Sequence, residues 1–434
     1  MSSIRTTNGS RPIRPKAVSL FAGCGGFSEG IELAGFEVKC AVELDKFAVD
    51  TYCHNFPKVP LFDRDIADFL NTDEEDHRAA YALDDIDIVF RGPPCQGYSQ
   101  IGTRDLKDKR NRLYEEFARV VSDLRPRMFL LENVPNLLML NKGYYRDLIL
   151  RTFKDIEYTN TTFIQVSAAD HGVPQRRQRV VFLGTRDDDA FPYDLSAFWQ
   201  TSLGELVIAP QTTVDAAIND LPDQVVPSGC TMEYPTGNNL SLFQKKMRLD
   251  YDEMPYASLK KRQQGIDDQG ILLHNHHTKE IQERRAHLIT LLKPGQKGDS
   301  LPADIWNGKR PEKWRRLHPD QPSYTILAQM HRDLSEWVHP RLNRWITVRE
   351  AARLQSFHDG FVFIGSEWQQ LKQIGNALPP LLAYALGMTA MATLKVLDGY
   401  EPNGAQKPSV QMAFSGPLSP SNARSRLDVI GQGG

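Results

Sequence analysis

Short apolar runs alternate with amphipathic stretches through the first part of the chain. Ala17–Phe21, Phe36–Val42, Ile86–Phe90 and Met128–Leu131 predict strands. Between them, Ser28–Ala34, Lys46–Asn55 and about Arg112 to Leu124 predict helices. In the last, Leu113, Phe117, Val120, Val121 and Leu124 share one face. Thr161–Ser167 and Arg179–Gly184 flank a Gly-Val-Pro turn and read as a late hairpin. This βαβα succession predicts an α/β fold with a doubly wound sheet.

The pattern changes after Arg186. Short mixed segments rich in Pro, Gly, Gln and basic residues replace sustained periodicity, so 191–335 is expected to form a second, smaller and irregular domain. Helical order returns at Thr347-Val348-Arg349-Glu350, a capping-box pattern. An apolar helix then starts near Pro379 and runs through Ala383, Leu386 and Met388 toward Leu394. It is expected to pack back on the first domain, which would comprise 16–190 plus 336–398. The basic arm 1–15 and the Pro-, Ser- and Gly-rich tail 399–434 are expected to be disordered.

Composition removes several classes. No apolar run approaches membrane-spanning length, and the polar, basic start carries no secretory h-region. Five cysteines, an odd count without a Cys-x-x-Cys pair, argue against a disulfide framework or zinc ribbon and for a reducing, cytoplasmic setting. A net charge of −2 neither supports nor excludes a nucleic-acid partner, because binding depends on where charges cluster.

Gly92-Pro93-Pro94-Cys95-Gln96-Gly97 carries the sharpest chemical signal. It follows a buried-strand pattern, and open α/β sheets bind ligands at the carboxyl ends of their strands. A thiol on a proline-stiffened turn there fits a positioned nucleophile, although a small buried hydrophobe would look alike. Phe21-Ala22-Gly23-Cys24-Gly25-Gly26-Phe27 joins the first strand to the first helix. Its glycines admit a ligand to the backbone, and the helix start favours an anion. Ser28 breaks the dinucleotide spacing, which favours another adenosine cofactor. Glu43 closes the second strand, where an acid can bind ribose hydroxyls. Asp65, before Ile66, could accept from an adenine amino group; either acid alone fits a solvated loop equally well.

Glu132-Asn133-Val134 ends a strand that sheet topology can place beside the one leading to Cys95. Alternation puts Arg177 and Arg179 on one face, suited to a phosphate or a carbonyl edge, or simply to guarding an edge strand. Gln373-Ile374-Gly375-Asn376 is read as opening the last helix, where Asn and Pro also serve capping. His274, His276 and His277 lack cysteine partners at metal spacing, so a loop or DNA-facing role is favoured over zinc.

Taken in order, these motifs resemble the DNA (cytosine-5-)-methyltransferases of the stand-alone bacterial or phage type. The resemblance covers about 17–185 and 320–395. It includes Phe-x-Gly-x-Gly-Gly, Pro-Cys-Gln, Glu-Asn-Val, Gln-x-Arg-x-Arg, Arg-Glu-Ala-Ala-Arg-Leu-Gln and Gly-Asn-Ala. It implies a Rossmann-like S-adenosylmethionine-dependent sheet and a target-recognition domain. It also implies methyl transfer to C5 of a flipped cytosine in duplex DNA, by attack of Cys95 on C6. Catalytic roles fall on Cys95, Glu132, Arg179 and Arg177. The cofactor pocket takes Phe21, Gly23, Gly25, Gly26, Glu43, Asp65, Ile66, Pro93, Leu113 and Asn376, with no metal. Arg104, Lys107, Lys109, Arg110 and Arg112 would form a basic loop closing over DNA. Lys245-Lys246, Lys260-Lys261-Arg262, Lys309-Arg310 and Arg315-Arg316 would mostly meet phosphates.

The expected setting is a bacterial, nucleoid-associated monomer, off the membrane, with a restriction endonuclease as a separately acting companion. An RNA cytosine methyltransferase is the nearest alternative, but its Cys-Phe-Thr tripeptide is missing from this sequence. A non-catalytic DNA-binding regulator and a nicotinamide or thiol enzyme acting on small molecules are the other two.

Overall fold

Residues with a continuous apolar pattern must be covered on both faces, and the strands meet that demand. The computed structural model describes residues 14–71, 77–93, 113–235, 239–253, 255–264, 272–306, 314–330 and 336–400. Within it β1 (Lys16–Leu20), β2 (Glu37–Val42), β3 (Leu61–Phe62), β4 (Ile88–Phe90), β5 (Met128–Asn133), β6 (Asn160–Ser167) and β7 (Gln178–Thr185) form one sheet. Ile88, Phe90 and Leu130 enter one apolar cluster, while Val89, Phe129 and Leu131 enter another. The sheet is thus the middle of three layers.

The strand order is β3-β2-β1-β4-β5-β7-β6. Neighbours from β3 through β5 run parallel, and β7 alone runs antiparallel between β5 and β6. The chain leaves β3 at one edge and returns to place β4 beside β1. That reversal is a topological switch point, where such sheets open a crevice. The doubly wound Rossmann-like expectation therefore holds, with the late hairpin supplying the antiparallel strand.

α1 (Gly26–Leu33) and α2 (Lys46–Asn55) follow β1 and β2; a short α3 (His77–Ala80) precedes β4. α4 (Leu113–Leu124) and α5 (Tyr144–Asp155) cover the face opposite α1. Asp45 caps α2 by accepting from the Phe47 and Ala48 amides, so that helix begins where the sequence expects.

The second region is divided by its packing. α6 (Leu195–Glu205) and α7 (Val214–Ile218) share the core of the sheet, and Trp199 Nε1 donates to Thr393. α8 (Leu242–Met247) and α9 (Tyr256–Gln264) also contribute to that core. A separate cluster is built later, from Ile289 and Leu292 of α10 (Glu283–Leu291) and its end, Trp314 of β8 (Trp314–Arg316), Val338 of β9 (Glu336–Val338) and Trp345.

α11 (Val348–Leu354) carries the expected capping box between Thr347 and Glu350. α12 (Glu367–Asn376) and α13 (Pro380–Leu397) follow. Asn376 ends α12 rather than opening the last helix, because the Pro379-Pro380 pair forces a break before α13. The stretch Glu367–Leu397 is long and apolar enough to span a membrane by composition, beyond the sequence expectation, yet 72% of its most apolar window is buried. α13 packs on α1, giving a core helix its ordinary role.

Candidate active site

The carboxyl edge of β1, β2 and β4 gathers the first group of residues. After β1 the chain turns through Phe21 (φ 52), Gly23 (φ 59) and Gly25 (φ 104), three left-handed residues in five positions. Gly25 is the N-cap of α1 and has no side chain to cap its first amides, so the positive end of the helix faces this turn. Glu43 braces this turn from the end of β2. Its Oε2 accepts from the Gly23 amide at 2.7 Å, and its Oε1 accepts from the Leu44 and Asp45 amides at 2.9 and 2.8 Å. One Oε2 lone pair remains for a hydroxyl. Leu44 beside it is 63% exposed, an apolar surface at the same edge that the sequence did not single out. Asp65 follows β3, is exposed, and accepts from the Ala67 amide through Oδ1. Ile66 behind it is buried, and Leu113 opens α4 half-buried.

Gly92 lets two strand ends meet. A Cβ there would overlap the Glu132 carbonyl, so the turn after β4 runs hard against the end of β5. Asn133 donates to the Pro93 carbonyl at 3.4 Å and fixes the base of the turn that leads to Cys95. In the sequence Asn133 is only the middle of Glu-Asn-Val; its tether exists only in space. Cys95 itself and the basic residues Arg104, Lys107, Lys109, Arg110 and Arg112 lie outside the described residues.

Because β7 runs antiparallel to β5, its start lies at the end of β5. Glu132 pairs with Val181 in the ladder, and Arg179, two residues from Val181, shares its face. Arg179 Nε stands 2.6 Å from Glu132 Oε1, and each side chain is 11% exposed. Arg177, expected to share the base-holding task, does not reach the crevice. It is 1% exposed and donates to the Ile326, Gly375 and Ala377 carbonyls at 2.8 to 3.2 Å. Burial, and then the Arg179 charge, push its guanidinium well below the ordinary arginine range. It braces the α12–α13 junction from beneath. Gln175 and Gln355 bond each other there, and Gln355 donates to the Ile374 carbonyl. Asn376 stays exposed at that junction.

The other described cysteines do not compete as nucleophiles at this edge. Burial pushes the Cys24 thiol up to about 12 against the opposing charge of Arg91, and Cys40 is likewise pushed to about 12. Cys53 and Cys230 are exposed. Among the described residues no group of three potential metal ligands is found.

Several basic residues expected to face DNA are committed elsewhere. Arg316 is 4% exposed and donates to the Leu292, His339, Leu342 and Ile289 carbonyls and to Asn343. Arg262 pairs with Glu29 and Glu32 on α1. Lys246 lies over the Tyr251 and Tyr256 rings. His276 and His277 are buried rather than DNA-facing, and His276 bridges Pro222 and Thr347. Lys245 and Lys261 are exposed, Lys260 pairs with Asp252, and Arg315 stacks on Tyr324 at 3.8 Å. Lys309 and Arg310 lie outside the described residues.

A glycine turn at the β1/β4 switch point, an acid on β2 and a Glu–Arg pair at the end of β5 thus gather at one edge of the sheet. Residues 16–391 match the C-5 cytosine-specific DNA methylases, and the chain belongs to that family. It is a DNA (cytosine-5-)-methyltransferase, and its family uses S-adenosylmethionine. It is 33% identical over 386 residues to the type II methyltransferase M.DdeI of Desulfomicrobium norvegicum, covering 85% of this chain and 86% of that one. It is also 33% identical to the type II methyltransferase M.AgeI of Thalassovita gelatinovora, covering 86% and 98%. Among solved structures, a putative DNA modification methyltransferase encoded within an Escherichia coli prophage aligns with a TM-score of 0.66 at 27% identity, covering 88% and 99%.

Proposed function

We propose that the enzyme methylates one cytosine within a specific duplex DNA sequence, on a base turned out of the helix, with Cys95 as the nucleophile. The Glu132–Arg179 pair carries this reading, because it stands beside Gly92 and Pro93, which precede Cys95 in the sequence. Cytosine C5 is a weak nucleophile. Addition of the Cys95 thiolate to C6 makes C5 enamine-like, and negative charge then builds on the ring at N3 and O2. Glu132 would serve N3 with a proton, and Arg179 would hold the carbonyl oxygen. S-adenosylmethionine supplies an electrophilic methyl group for C5. Loss of the C5 proton and expulsion of Cys95 complete turnover. A duplex hides C6, so the base must leave the stack, at a cost of a few kcal/mol.

The residues at the β1/β4 switch point fit the cofactor. Phe21, Gly23, Gly25 and Gly26 bring main chain to it, and Glu43 has a free lone pair for ribose. Asp65, Ile66, Pro93, Leu113 and Asn376 complete the pocket, and Leu44 offers apolar cover for the adenine. Residues 16–190 with 336–398 would act as the catalytic domain and 191–335 as the reader of bases. Lys245 and Lys261 are the exposed cations there that best suit phosphates. Kinship with type II methyltransferases supports a place in a bacterial restriction-modification system; an endonuclease would act separately, and the enzyme would work as a monomer.

The test is to incubate the protein with S-adenosylmethionine and mixed-sequence duplex DNA, then map methylation by bisulfite sequencing, with Cys95→Ala beside it. One protected cytosine in a recurring short site, missing with the variant, is expected. Activity on RNA alone, or an active Cys95→Ala protein, would overturn the reading.

A further inference from the structure

Arg91 is a charged residue that no motif marks. It follows β4 with φ 94, in the left-handed region where an L side chain is strained. Its amide still joins the ladder, donating to the Leu130 carbonyl at 2.9 Å, so the strain is held in place by the sheet. The side chain turns toward β1. Nη2 donates to the Asn376 carbonyl at 3.2 Å, and a Cβ on Gly23 would come within 3.1 Å of the same atom. Arg91 therefore touches both the glycine turn and the α12–α13 junction, at the switch point of the sheet.

The residue is only 6% exposed, yet its Nε and Nη1 are buried with no acceptor among the described residues. No carboxylate pairs with it among the described residues either. A buried guanidinium in that state is costly, and orphaned donors on a strained residue mark a place where a ligand completes the bonding. With no carboxylate opposite the guanidinium among the described residues, an anion is the ligand that completes it best. The uncapped start of α1 beside it favours negative charge as well. S-adenosylmethionine carries one anionic group, the carboxylate of its amino-acid part. The sulfonium would be repelled by the guanidinium, which sets the orientation: carboxylate toward Arg91, adenosine toward Glu43 and Leu44.

We propose that Arg91 binds the carboxylate of the cofactor's amino-acid moiety and sets which way the cofactor lies in the crevice. The proposal rests on the cofactor pocket assigned above. It is tested by calorimetric titration of S-adenosylhomocysteine and of its decarboxylated analogue into the wild type, Arg91→Gly and Arg91→Lys. Glycine relieves the positive φ, so Arg91→Gly is expected to melt no lower than the wild type. It should bind S-adenosylhomocysteine about tenfold or more weakly while binding the decarboxylated analogue unchanged. Arg91→Lys should recover part of the preference. An equal loss for both ligands would assign Arg91 to packing, and an unchanged affinity for S-adenosylhomocysteine would place the carboxylate elsewhere; either overturns the proposal. A wild type that binds neither ligand would instead overturn the cofactor pocket itself, and this proposal with it.

Discussion

Arginine does opposite work at the edge of the sheet and around α11. At the edge, Arg179 meets Glu132 in a crevice, and Arg91 keeps donors without acceptors among the described residues. Around α11, Arg353 is fully buried and bonded on every side. It reaches Asp220 at 2.7 Å, Asp359 at 2.6 Å and the Ala217 carbonyl at 2.8 Å. Arg248 also pairs with Asp220, and Tyr234 donates to Asp359. The second set joins α7, α8 and α11 into one block, whereas Arg91 leaves donors for a ligand. What separates Arg91 from Arg353 is whether acceptors among the described residues complete the guanidinium, and charge alone does not reveal that.

The sharpest way to break this comparison is at Glu132. Glu132→Gln keeps the shape and a hydrogen-bonding group but removes the acid, so kcat for methyl transfer should fall by about 10²–10⁴. The melting temperature should move little, because the pair sits at a crevice. A large loss of stability with modest loss of rate would put Glu132 in the structural class.

Arg353→Met tests the other side. Removing it leaves Asp220 and Asp359 buried and short of a counter-ion, a cost of about 3–5 kcal/mol. Chemical denaturation should show that loss, while the folded fraction keeps its ability to bind S-adenosylhomocysteine. A variant as stable as the wild type would mean that the ion cluster is dispensable.

The sheet and most of the site's edge were legible because they depend on local pattern. Apolar runs gave β1, β4 and β5, Asp45 and Thr347 announced α2 and α11, and topology predicted that Glu132 could lie beside the Cys95 turn. What failed was long-range pairing. Nothing in the sequence around Arg316 says that four carbonyls from distant segments surround it, and nothing near Arg262 points to Glu29. Arg177 and Arg179 share an alternation, yet one enters the packed interior and the other the crevice. Arg91 left no sequence signal, because its meaning lies in a backbone angle and in missing acceptors. Composition makes 191–335 look like one unit and does not show that α6 and α7 bury their apolar faces on the sheet.

A smaller effect sharpens the comparison through pH. His339 is 3% exposed, and its Nδ1 accepts from the Arg341 and Leu342 amides at 3.2 and 3.0 Å. A ring that accepts twice at Nδ1 must carry its proton on Nε2, which lies 3.7 Å from Glu350. Burial pushes the imidazole from 6.5 down to about 4, outweighing the pull of Glu350. Above pH 6.5 both folded and unfolded chains hold it neutral, and its contribution to stability is complete. As pH falls below that, the unfolded chain binds a proton that the folded chain refuses. At pH 5 the loss from this residue is about 2 kcal/mol. Glu350, held at about 2 by Arg344 and His339 despite its burial, loses its contribution only below its ordinary 4.5. In the interval from pH 6.5 to 5 the His339 term is therefore expressed while that of Glu350 is not. His171, His276 and His277 are also held low by burial and slope the same way, so the difference between proteins is what counts. In His339→Asn an amide oxygen can accept from the same two amides and does not titrate. Urea unfolding should give a curve flatter by about 2 kcal/mol between pH 7 and pH 5 than the wild type. Parallel curves would mean that the His339 ring accepts its second proton in place, and that the interior around α11 yields more readily than its bonding implies.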